Sequence, residues 1–471
     1  MTSDEPPNQQ PNVAAVILAA GLGTRMRSRL PKELHPIAGR PTIDYVLDAA
    51  QGACPAQTVL VLSPAKAALA QVLPDDVEVA WQKEQLGTGH AAAQALPLLR
   101  PEIERVAVLF ADAALLTPQV VRELVARSAS SGALVTLLTA VVADPGPYGR
   151  LRYQDGRITA IFEAKVDTAC YQGPVEVNSG ISCYRRDWLE RALPHVPRSP
   201  VGEYYLTSLV ELAAQEAPQP AVVSLIAPIE LAQGVNDRVE LAEAERVMRR
   251  RINERLMRAG VSIVDPASTF IDAEVEIAPD TRIEPFTTIS GTSRIAEDCV
   301  IGPQAIVRDS VIGAGCEIVA SLIEGAELGH GVHVGPFSHF RPGTRIADGV
   351  HVGNYVEVKN ASLGEGTHVG HFSYLGDAAI GRGVNIGAGT ITANYDGVAK
   401  HRTTIGDRAF IGSDTILRAP VEVGEDARTG AGAVVTRDVP PGVTVIGVPA
   451  RPLQPVKDDE QDKDEDEERE S

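Results

Sequence analysis

The second half of the chain repeats an aliphatic residue at every sixth position. The six-residue spacing holds through two stretches, formed by Ile277, Ile283, Ile289, Ile295 and Ile301, and by Ile405, Ile411, Leu417, Val423, Thr429 and Val435, in which only Thr429 is not aliphatic. Between them the rhythm continues with one-residue slips, and glycine often follows the aliphatic residue. A hexapeptide repeat is typical of a parallel β-helix, in which short strands turn corners and stack their aliphatic side chains inside. We predict such a domain over residues 260–455, with residues 387–404 looping out of register.

The first half alternates short apolar runs with amphipathic stretches. Residues 13–18, 58–62, 106–110 and 133–142 read as strands, which predicts a Rossmann-like α/β domain with a mainly parallel sheet over residues 13–238. Good helix formers fill residues 239–259 up to Gly260, which predicts a helical linker between the two domains. We expect residues 1–12 and the acidic tail 456–471 to be disordered.

Composition excludes several classes of function. A net charge of −19 argues against nonspecific nucleic-acid binding. No apolar run approaches the roughly 20 residues that span a bilayer, and the first residues lack a signal-peptide pattern, so we expect a cytoplasmic protein without a membrane partner. The 5 cysteines are scattered without metal-ligand spacing, which disfavours disulfides and thiolate metal sites.

A glycine turn with two cations follows the first strand. The chain reads LAAGLGTRM from Leu18 and LPK from Leu30, so backbone N–H groups at Gly21 and Gly23 can surround an anion while Arg25 and Lys32 supply positive charge. The spacing matches neither the dinucleotide fingerprint nor the P-loop. It predicts a phosphate-handling site at the carboxyl edge of the sheet, which Asp112 also reaches.

Further motifs carry a family resemblance over residues 13–452. They read WQKEQLGTGHA, DPGPYGR, EVNSG, GEYYLT and GVNDR in the first half, and RPGT, VGNYVEVK, GHFSYLGDA, NIGAGTITANYDG and IGSDT in the second. With this domain order the chain resembles the bacterial bifunctional N-acetylglucosamine-1-phosphate uridyltransferase/glucosamine-1-phosphate N-acetyltransferases. The resemblance implies a left-handed β-helix, a homotrimer, and synthesis of UDP-N-acetylglucosamine from glucosamine 1-phosphate, acetyl-CoA and UTP, with N-acetylglucosamine 1-phosphate as the intermediate.

For uridylyl transfer, the resemblance assigns a charge-neutralising role to Arg25 and Lys32 and a Mg²⁺ ion to the oxygens of Asp112 and Asn236. Gln82, Gly87 and Thr88 would recognise uracil, and Gly149, Glu163 and Asn178 the sugar. The complete set of expected nucleotide and sugar contacts is Leu18, Ala19, Ala20, Gly21, Lys32, Gln82, Gly87, Thr88, Asp112, Gly149, Glu163, Asn178 and Asn236.

For acetyl transfer, the resemblance makes His371 the general base, and imidazole, with an ordinary pKa of about 6.5, suits this work. Glu357 is our candidate for its orienting partner. Expected sugar-phosphate contacts are Arg341, Lys359, Tyr374 and Asn385, and expected acetyl-CoA contacts are Ala388, Asn394, Tyr395, Ser413 and Ala431. A zinc site with His368 and His371 is the less favoured alternative, because no further cysteine or paired carboxylate supports it.

The chain departs from the family pattern in a few places. Ala111 and Ala114 stand where glycine and proline are usual, and we expect the Ala111 methyl group to weaken nucleotide binding or shift the metal. The usual coenzyme A arginine of the last coil is missing, and Arg451 is its candidate replacement. Three alternatives stay open: a bifunctional enzyme for another hexose 1-phosphate, an acetyltransferase with an impaired first site, and a catalytically silent regulatory subunit.

Overall fold

The computed structural model describes residues 12–146, 148–162, 173–216 and 220–453, and the chain divides into two compact units after Met248. Apart from Asn12, both termini that we expected to be disordered lie outside the described residues. The first unit contains strands and helices in alternation, and the second contains short strands.

The first unit has eleven described strands and five complete helices. The strands are β1 (Val13–Leu18), β2 (Pro36–Ile37), β3 (Arg40–Pro41), β4 (Gln57–Leu62), β5 (Val77–Trp81), β6 (Arg105–Phe110), β7 (Val135–Val142), β8 (Gly149–Gln154), β9 (Arg157–Phe162), β10 (Val175–Arg185) and β11 (Val222–Ile226). The helices are α1 (Thr42–Gln51), α2 (Thr88–Ala95), α3 (Pro118–Ser131), α4 (Arg186–Ala192) and α5 (Ser208–Gln215). Short 3₁₀ turns span Thr24–Met26, Lys32–Leu34, Pro64–Val72, Leu96–Leu98, Leu193–His195 and Ile229–Ala232.

The main sheet of this unit is mostly parallel, as predicted. Its strand order is β11-β7-β10-β6-β1-β4-β5, and β8 and β9 extend it beside β10. Strands β1, β4, β5 and β6 run parallel, as do β7 and β11, whereas β10 runs antiparallel to both β6 and β7. The carboxyl ends of β1, β5 and β6 therefore meet at one edge, where ligands bind in such sheets.

Strand β1 is buried on both faces because helices cover both sides of the sheet. Ala14, Val16 and Leu18 belong to a core cluster that includes Trp188 of α4, and Val13 and Ile17 belong to the opposite cluster with α1 and α3. Successive side chains of a strand point to opposite faces. A continuous apolar run is the sequence signature of this environment.

Helix α6 (Arg238–Arg258) lies where the sequence analysis expected a linker over residues 239–259, and the division between the two units falls within it, after Met248. Asp237 Oδ1 caps it by accepting hydrogen bonds from the backbone N–H groups of Val239 and Glu240, both at 2.9 Å. Gly260, with φ +102°, follows its end, and Val261 N donates to Leu256 O at 3.1 Å. This is the glycine termination expected from the sequence.

The second unit is a parallel β-helix with three faces. The first face contains Ser262–Ile263, Arg282–Ile283, Val300–Ile301, Glu317–Ile318, His333–Val334, His351–Asn354, His368–His371, Asn385–Ile386, Phe410–Ile411, Arg428–Thr429, Thr444–Ile446 and Arg451–Pro452. The second contains Phe270–Ile271, Thr288–Ser290, Ile306–Arg308, Leu322–Glu324, His339–Phe340, Glu357–Lys359, Tyr374–Gly376, Ile391–Ala393, Ile416–Arg418 and Val434–Val435. The third contains Glu276–Ile277, Arg294–Ile295, Val311–Ile312, Glu327–Leu328, Arg345–Ile346, Ser362–Leu363, Ala378–Ile380, Thr403–Ile405 and Val421–Val423.

The aliphatic residues of the repeat fill the interior. On the first face Ile283, Ile301, Ile318 and Val334 are each at most 3% exposed, while the residues before them face outward. Burying each such side chain contributes about 1.5 to 3 kcal/mol. The excursion is shorter than the predicted 387–404, because Ile391–Ala393 forms a strand of the second face in register with its neighbours. The chain leaves the coil after this strand and returns at Thr403–Ile405, so residues 394–402 form a loop, closed by a bridge between Tyr395 and Lys400.

We predict that Phe340→Ala destabilises the β-helix by about 3 to 5 kcal/mol, because Phe340 is fully buried between Ile323 and Val358 of neighbouring coils. Urea unfolding of the full chain followed by far-UV circular dichroism measures the loss. Both tryptophans, Trp81 and Trp188, lie in the first unit, so their fluorescence follows that unit separately. Phe340→Leu is the control, with an expected loss below about 1.5 kcal/mol. An alanine variant within 1 kcal/mol of the wild type would contradict the prediction.

Candidate functional site

One cavity of about 270 Å³ lies at the carboxyl edge of the main sheet. Its wall includes nine of the residues predicted for nucleotide binding, namely Leu18, Ala19, Ala20, Gly21, Lys32, Gln82, Gly87, Thr88 and Asp112. These residues lie at or after the ends of β1, β5 and β6 or stand at the start of α2, except for Lys32, which belongs to the Lys32–Leu34 turn. The structure therefore brings together motifs that are widely separated along the sequence.

Lys32 connects the two predicted metal ligands. Its Nζ donates a hydrogen bond to Asp112 Oδ2 and another, at 3.4 Å, to Asn236 Oδ1. The carboxylate and amide oxygens thus converge on one cationic atom, and hard oxygen donors of this kind suit Mg²⁺. Arg25 is not part of this group, because it is exposed on the Thr24–Met26 turn and does not line the cavity.

A buried ion pair, which the sequence analysis missed, lies beside the glycine turn that follows β1. Lys66 Nζ donates to Glu33 Oε1 at 2.6 Å and to the Ala19 carbonyl oxygen at 2.7 Å. Glu33 is 0% exposed and Lys66 is 4% exposed. Burial lowers the pKa of Lys66, while the carboxylate of Glu33 opposes this shift. The pair connects the Lys32–Leu34 turn to the end of β1, beside the cavity.

A second cavity of about 310 Å³ shares Thr88, Phe110 and Tyr205 with the first. It contains Gly149 and Asn178, two of the predicted sugar contacts, which are paired in register between β8 and β10. Asn178 is 7% exposed, and its Oδ1 has no hydrogen-bond partner among the described residues. A buried acceptor of this kind requires a partner, which a ligand hydroxyl group can supply. Glu163, the third predicted sugar contact, lies outside the described residues.

The predicted uracil contacts surround the start of α2. Gly87 has φ +99°, and a Cβ atom there would lie 2.6 Å from Tyr204 O. Thr88 Oγ1 accepts a hydrogen bond from Leu206 N at 2.9 Å, which holds the GEYYLT segment against this turn. Gln82 is 3% exposed, and its Nε2 lies 3.1 Å from Gly87 O and 3.0 Å from His90 Nδ1.

Ala111 differs from our expectation. We expected its methyl group near the substrate, but Ala111 is 1% exposed and belongs to the core cluster on the α1 and α3 side of the sheet. It does not line the nucleotide cavity, whereas its neighbour Asp112 does. Ala111 and Asp112 lie in the turn that follows β6, in which Ala113 N donates to Phe110 O at 3.1 Å, and this turn directs the Ala111 side chain to the core and that of Asp112 to the cavity. Ala114 is also buried, at 1% exposure.

In the second unit, five residues stack at equivalent positions of successive coils. This edge column consists of Asn354, His371, Ala388, Ser413 and Ala431. Asn354 and His371 are paired in register, and backbone hydrogen bonds to the carbonyls of Asn354, His371, Ala388 and Ser413 continue the stacking, with N–O distances of 3.1, 3.3, 2.6 and 2.8 Å. Glycine precedes each member, and a Cβ atom on Gly387 would lie only 2.5 Å from Ser413 N. The predicted base therefore lies in line with three predicted acetyl-CoA contacts.

The imidazole of His371 is oriented by Asn354. Its Nδ1 lies 2.6 Å from Asn354 Oδ1, which can only accept, so Nδ1 carries the proton and Nε2 has a free lone pair. Glu357, our expected orienting partner, instead forms an ion pair with Arg341 at 3.1 Å. Asn354 was missed although the sequence contains its signal, since VGN, VGH, IGA, IGS and TGA recur at the five positions of the column.

Among the described residues, the histidines of the first face of the β-helix do not form a metal site. His368 stacks next to His351, with ring centroids 5.8 Å apart, and Asn385 follows in register. Burial and the neighbouring histidines, led by His368, lower the pKa of His351. Within the described ranges, no group of three or more His, Cys, Asp or Glu side chains could hold a metal ion.

Arg341 and Lys359, two of the predicted sugar-phosphate contacts, lie near a third cationic side chain, that of Lys400. The nearby ammonium of Lys400, followed by Arg341, lowers the pKa of Lys359. Lys400, which the sequence analysis did not select, lies in the loop 394–402 and lines a cavity of about 550 Å³ with Arg402. Like charges held together favour an anion between them.

The remaining predicted contacts surround this loop. Tyr374 and Asn394 meet over Gly376, where a Cβ atom would lie 2.4 Å from the Tyr374 hydroxyl oxygen and 2.8 Å from Asn394 Nδ2. Asp377 holds Asn394 by accepting from its Nδ2 at 2.5 Å. Tyr395 is 61% exposed at the start of the loop.

In the part of the chain that the structure describes, no helix combines the length and apolarity needed to cross a membrane.

Comparisons with known proteins match both units. Residues 15–222 match the MobA-like NTP transferase domain, and residues 325–360 and 402–437 match the bacterial transferase hexapeptide (six repeats). The chain is 48% identical to the bifunctional protein GlmU of Pelobacter propionicus over 440 residues, which covers 92% of this chain and 95% of that protein. It is 42% identical to GlmU of Desulfitobacterium hafniense (93% and 96% covered) and 45% identical to GlmU of Heliobacterium modesticaldum (92% and 94% covered).

These matches extend over nearly the whole of each chain and include both the NTP transferase domain and the hexapeptide repeats. The chain therefore belongs to the GlmU family of bifunctional proteins.

Proposed function

We propose that the edge column with its neighbouring cations carries out acetyl transfer, and that the nucleotide cavity carries out uridylyl transfer. The chain is a bifunctional enzyme that makes UDP-N-acetylglucosamine from a sugar phosphate, acetyl-CoA and UTP. The observation that carries the residue assignment is the stacking of His371 with Ala388 and Ser413 in one column. These substrates also support a cytoplasmic location.

Acetyl transfer needs a base beside the acetyl donor. His371 Nε2 takes a proton from the ammonium group of glucosamine 1-phosphate, and the resulting amine attacks the thioester carbonyl carbon. The C–N bond forms as the C–S bond breaks, and coenzyme A leaves as the thiol after gaining a proton. Asn354 keeps the imidazole in the tautomer that can accept this proton. Arg341, Lys359 and Lys400 anchor the sugar phosphate.

Uridylyl transfer needs charge neutralisation at the phosphates. A phosphate oxygen of N-acetylglucosamine 1-phosphate attacks the α-phosphorus of UTP in line, and pyrophosphate leaves. Lys32 stabilises the negative charge, and backbone N–H groups of the glycine turn bind the phosphates. Asp112 and Asn236 would hold Mg²⁺, which would supply further charge stabilisation. Gly149 and Asn178 orient the sugar, and Gln82, Gly87 and Thr88 bind the base.

We also infer that the chain acts as a homotrimer, as the family resemblance implies. An exposed aromatic row supports a contact with another copy. Phe337, Tyr355 and Phe372 are 55%, 51% and 63% exposed and stack with centroid distances of 5.5 and 5.1 Å. Contiguous apolar surface of this kind is typical of interfaces.

A single incubation tests the proposed function. Purified protein is given glucosamine 1-phosphate, acetyl-CoA, UTP and Mg²⁺, and free thiol, pyrophosphate and UDP-sugar are followed separately. We expect all three to appear. Thiol without pyrophosphate, even when N-acetylglucosamine 1-phosphate is supplied, would favour an impaired first site. Equal turnover with glucose 1-phosphate and dTTP would favour the alternative hexose enzyme, and no turnover would favour the regulatory subunit.

We predict that the two activities can be lost separately. Asp112→Ala removes a charge that faces Lys32, so uridylyl transfer falls at least about 100-fold while acetyl transfer is unchanged. His371→Ala removes the base, so acetyl transfer falls about 100- to 10,000-fold while uridylyl transfer is unchanged. Separate assays of each half-reaction measure both. If either folded variant lost both activities, the two-site assignment would be wrong.

We predict that Asn354→Leu lowers kcat for acetyl transfer about tenfold with little change in KM, because the imidazole loses the acceptor that fixes its tautomer. Asn354→Asp is the matched variant that retains an acceptor. A carboxylate beside the imidazole favours its protonated form, so the acid limb of the kcat–pH profile moves to higher pH. Unchanged kcat in the leucine variant, or an unmoved profile in the aspartate variant, would argue against this role.

A further inference from the structure

We propose that His90 is a positioning residue for base selection, acting through the side-chain amide of Gln82. This inference rests on the proposed uridylyl transfer and adds how UTP is distinguished from CTP. Gln82 follows β5 directly and lines the nucleotide cavity, whereas His90 is the third residue of α2.

The orientation of the Gln82 amide is fixed by a backbone carbonyl. Gly87 O can only accept hydrogen bonds, so the amide atom that lies 3.1 Å from it must be the nitrogen. Gly87 is itself held in place, because its backbone conformation and its close approach to Tyr204 leave no room for a Cβ atom. One N–H group of the Gln82 side-chain amide therefore donates to Gly87 O.

The second N–H of the amide points to His90. Its Nδ1 lies 3.0 Å from the same Gln82 nitrogen, so this ring atom must accept and the ring carries its proton on Nε2. Both donors of the amide are then occupied. No described residue bonds to Gln82 Oε1, which leaves an acceptor as the group that the amide can offer to a ligand in the cavity.

The surroundings of His90 make this acceptor hard to replace. His90 also borders a mainly apolar cavity of about 540 Å³, whose wall includes Leu86, Leu96 and Leu193. Without Nδ1, one N–H of a side chain that is 3% exposed would lack a partner. A buried, unsatisfied donor drives rearrangement of the amide.

A lone acceptor selects for uracil over cytosine. Uracil has an N–H group at N3, which donates to Gln82 Oε1. Cytosine has an unprotonated N3, whose lone pair would face that oxygen. A site built to pair one hydrogen-bonding group discriminates strongly against a base that leaves it unpaired.

The test compares His90→Leu with His90→Asn. The two replacements have nearly the same shape, but only asparagine can place an acceptor where Nδ1 stands. The readout is the ratio of kcat/KM for UTP to kcat/KM for CTP in pyrophosphate release by the full chain. We expect His90→Leu to lower this ratio about tenfold and His90→Asn to keep it within about twofold. Acetyl transfer should be unchanged in both and serves as the internal control for folding.

An unchanged ratio in His90→Leu, or an equal fall in both variants, would overturn the proposal. If turnover is too slow, calorimetry gives the ratio of the dissociation constants of CTP and UTP, which we expect to fall in His90→Leu and to be kept in His90→Asn. If the leucine variant does not fold, His90→Phe replaces it, since the phenyl ring has no ring nitrogen to accept the hydrogen bond. A wild-type enzyme that does not prefer UTP would instead refute the proposed function, so the two failures can be distinguished.

Discussion

In-register stacking of the coils is the constraint on which the second unit depends. Parallel strands repeat the same positions from coil to coil, and the interior aliphatic residues fix that register, because a slip of one residue would turn them outward. The same register aligns the residues of the edge column. Asn354, His371 and Ala388 are separate in sequence but lie one coil apart, so backbone stacking alone aligns the proposed base with the proposed acetyl-CoA contacts.

The first unit positions its site by a different principle. Lys32, Asp112 and Asn236 come from three distant segments that meet at the carboxyl edge of the sheet. Next to them, the buried pair of Glu33 and Lys66 holds the start of the glycine turn through the Ala19 carbonyl group. Removing one partner would leave an uncompensated buried charge, which is far more costly than losing a surface ion pair. In the first unit, ion pairs hold the side chains of the site in place. In the β-helix, backbone stacking holds the edge column in place.

Much of this organisation could be predicted from periodicity. The six-residue repeat predicted the β-helix, and apolar runs such as Val13–Leu18 predicted the parallel sheet, because both patterns reflect burial. The partners of individual side chains were harder to predict from the sequence. Glu357 was chosen for its chemistry, but register gives Asn354 the contact with His371. The burial of Lys66 depends on a pairing across the fold that no local pattern reveals.

The edge column also determines how the gene can change in length. Losing one residue within a strand that holds the column would turn the following side chains of that strand to the other face, so the proposed base and coenzyme contacts would no longer share an edge. A loss at a corner between strands is different, because Ile283, Ile301, Ile318 and Val334 are paired in register although they lie 18, 17 and 16 residues apart. The loop 394–402 leaves the coil and returns to the same register. Length variation is therefore tolerated at the corners and in this loop, whereas the strands that carry the column must keep their residue count even where their sequence changes.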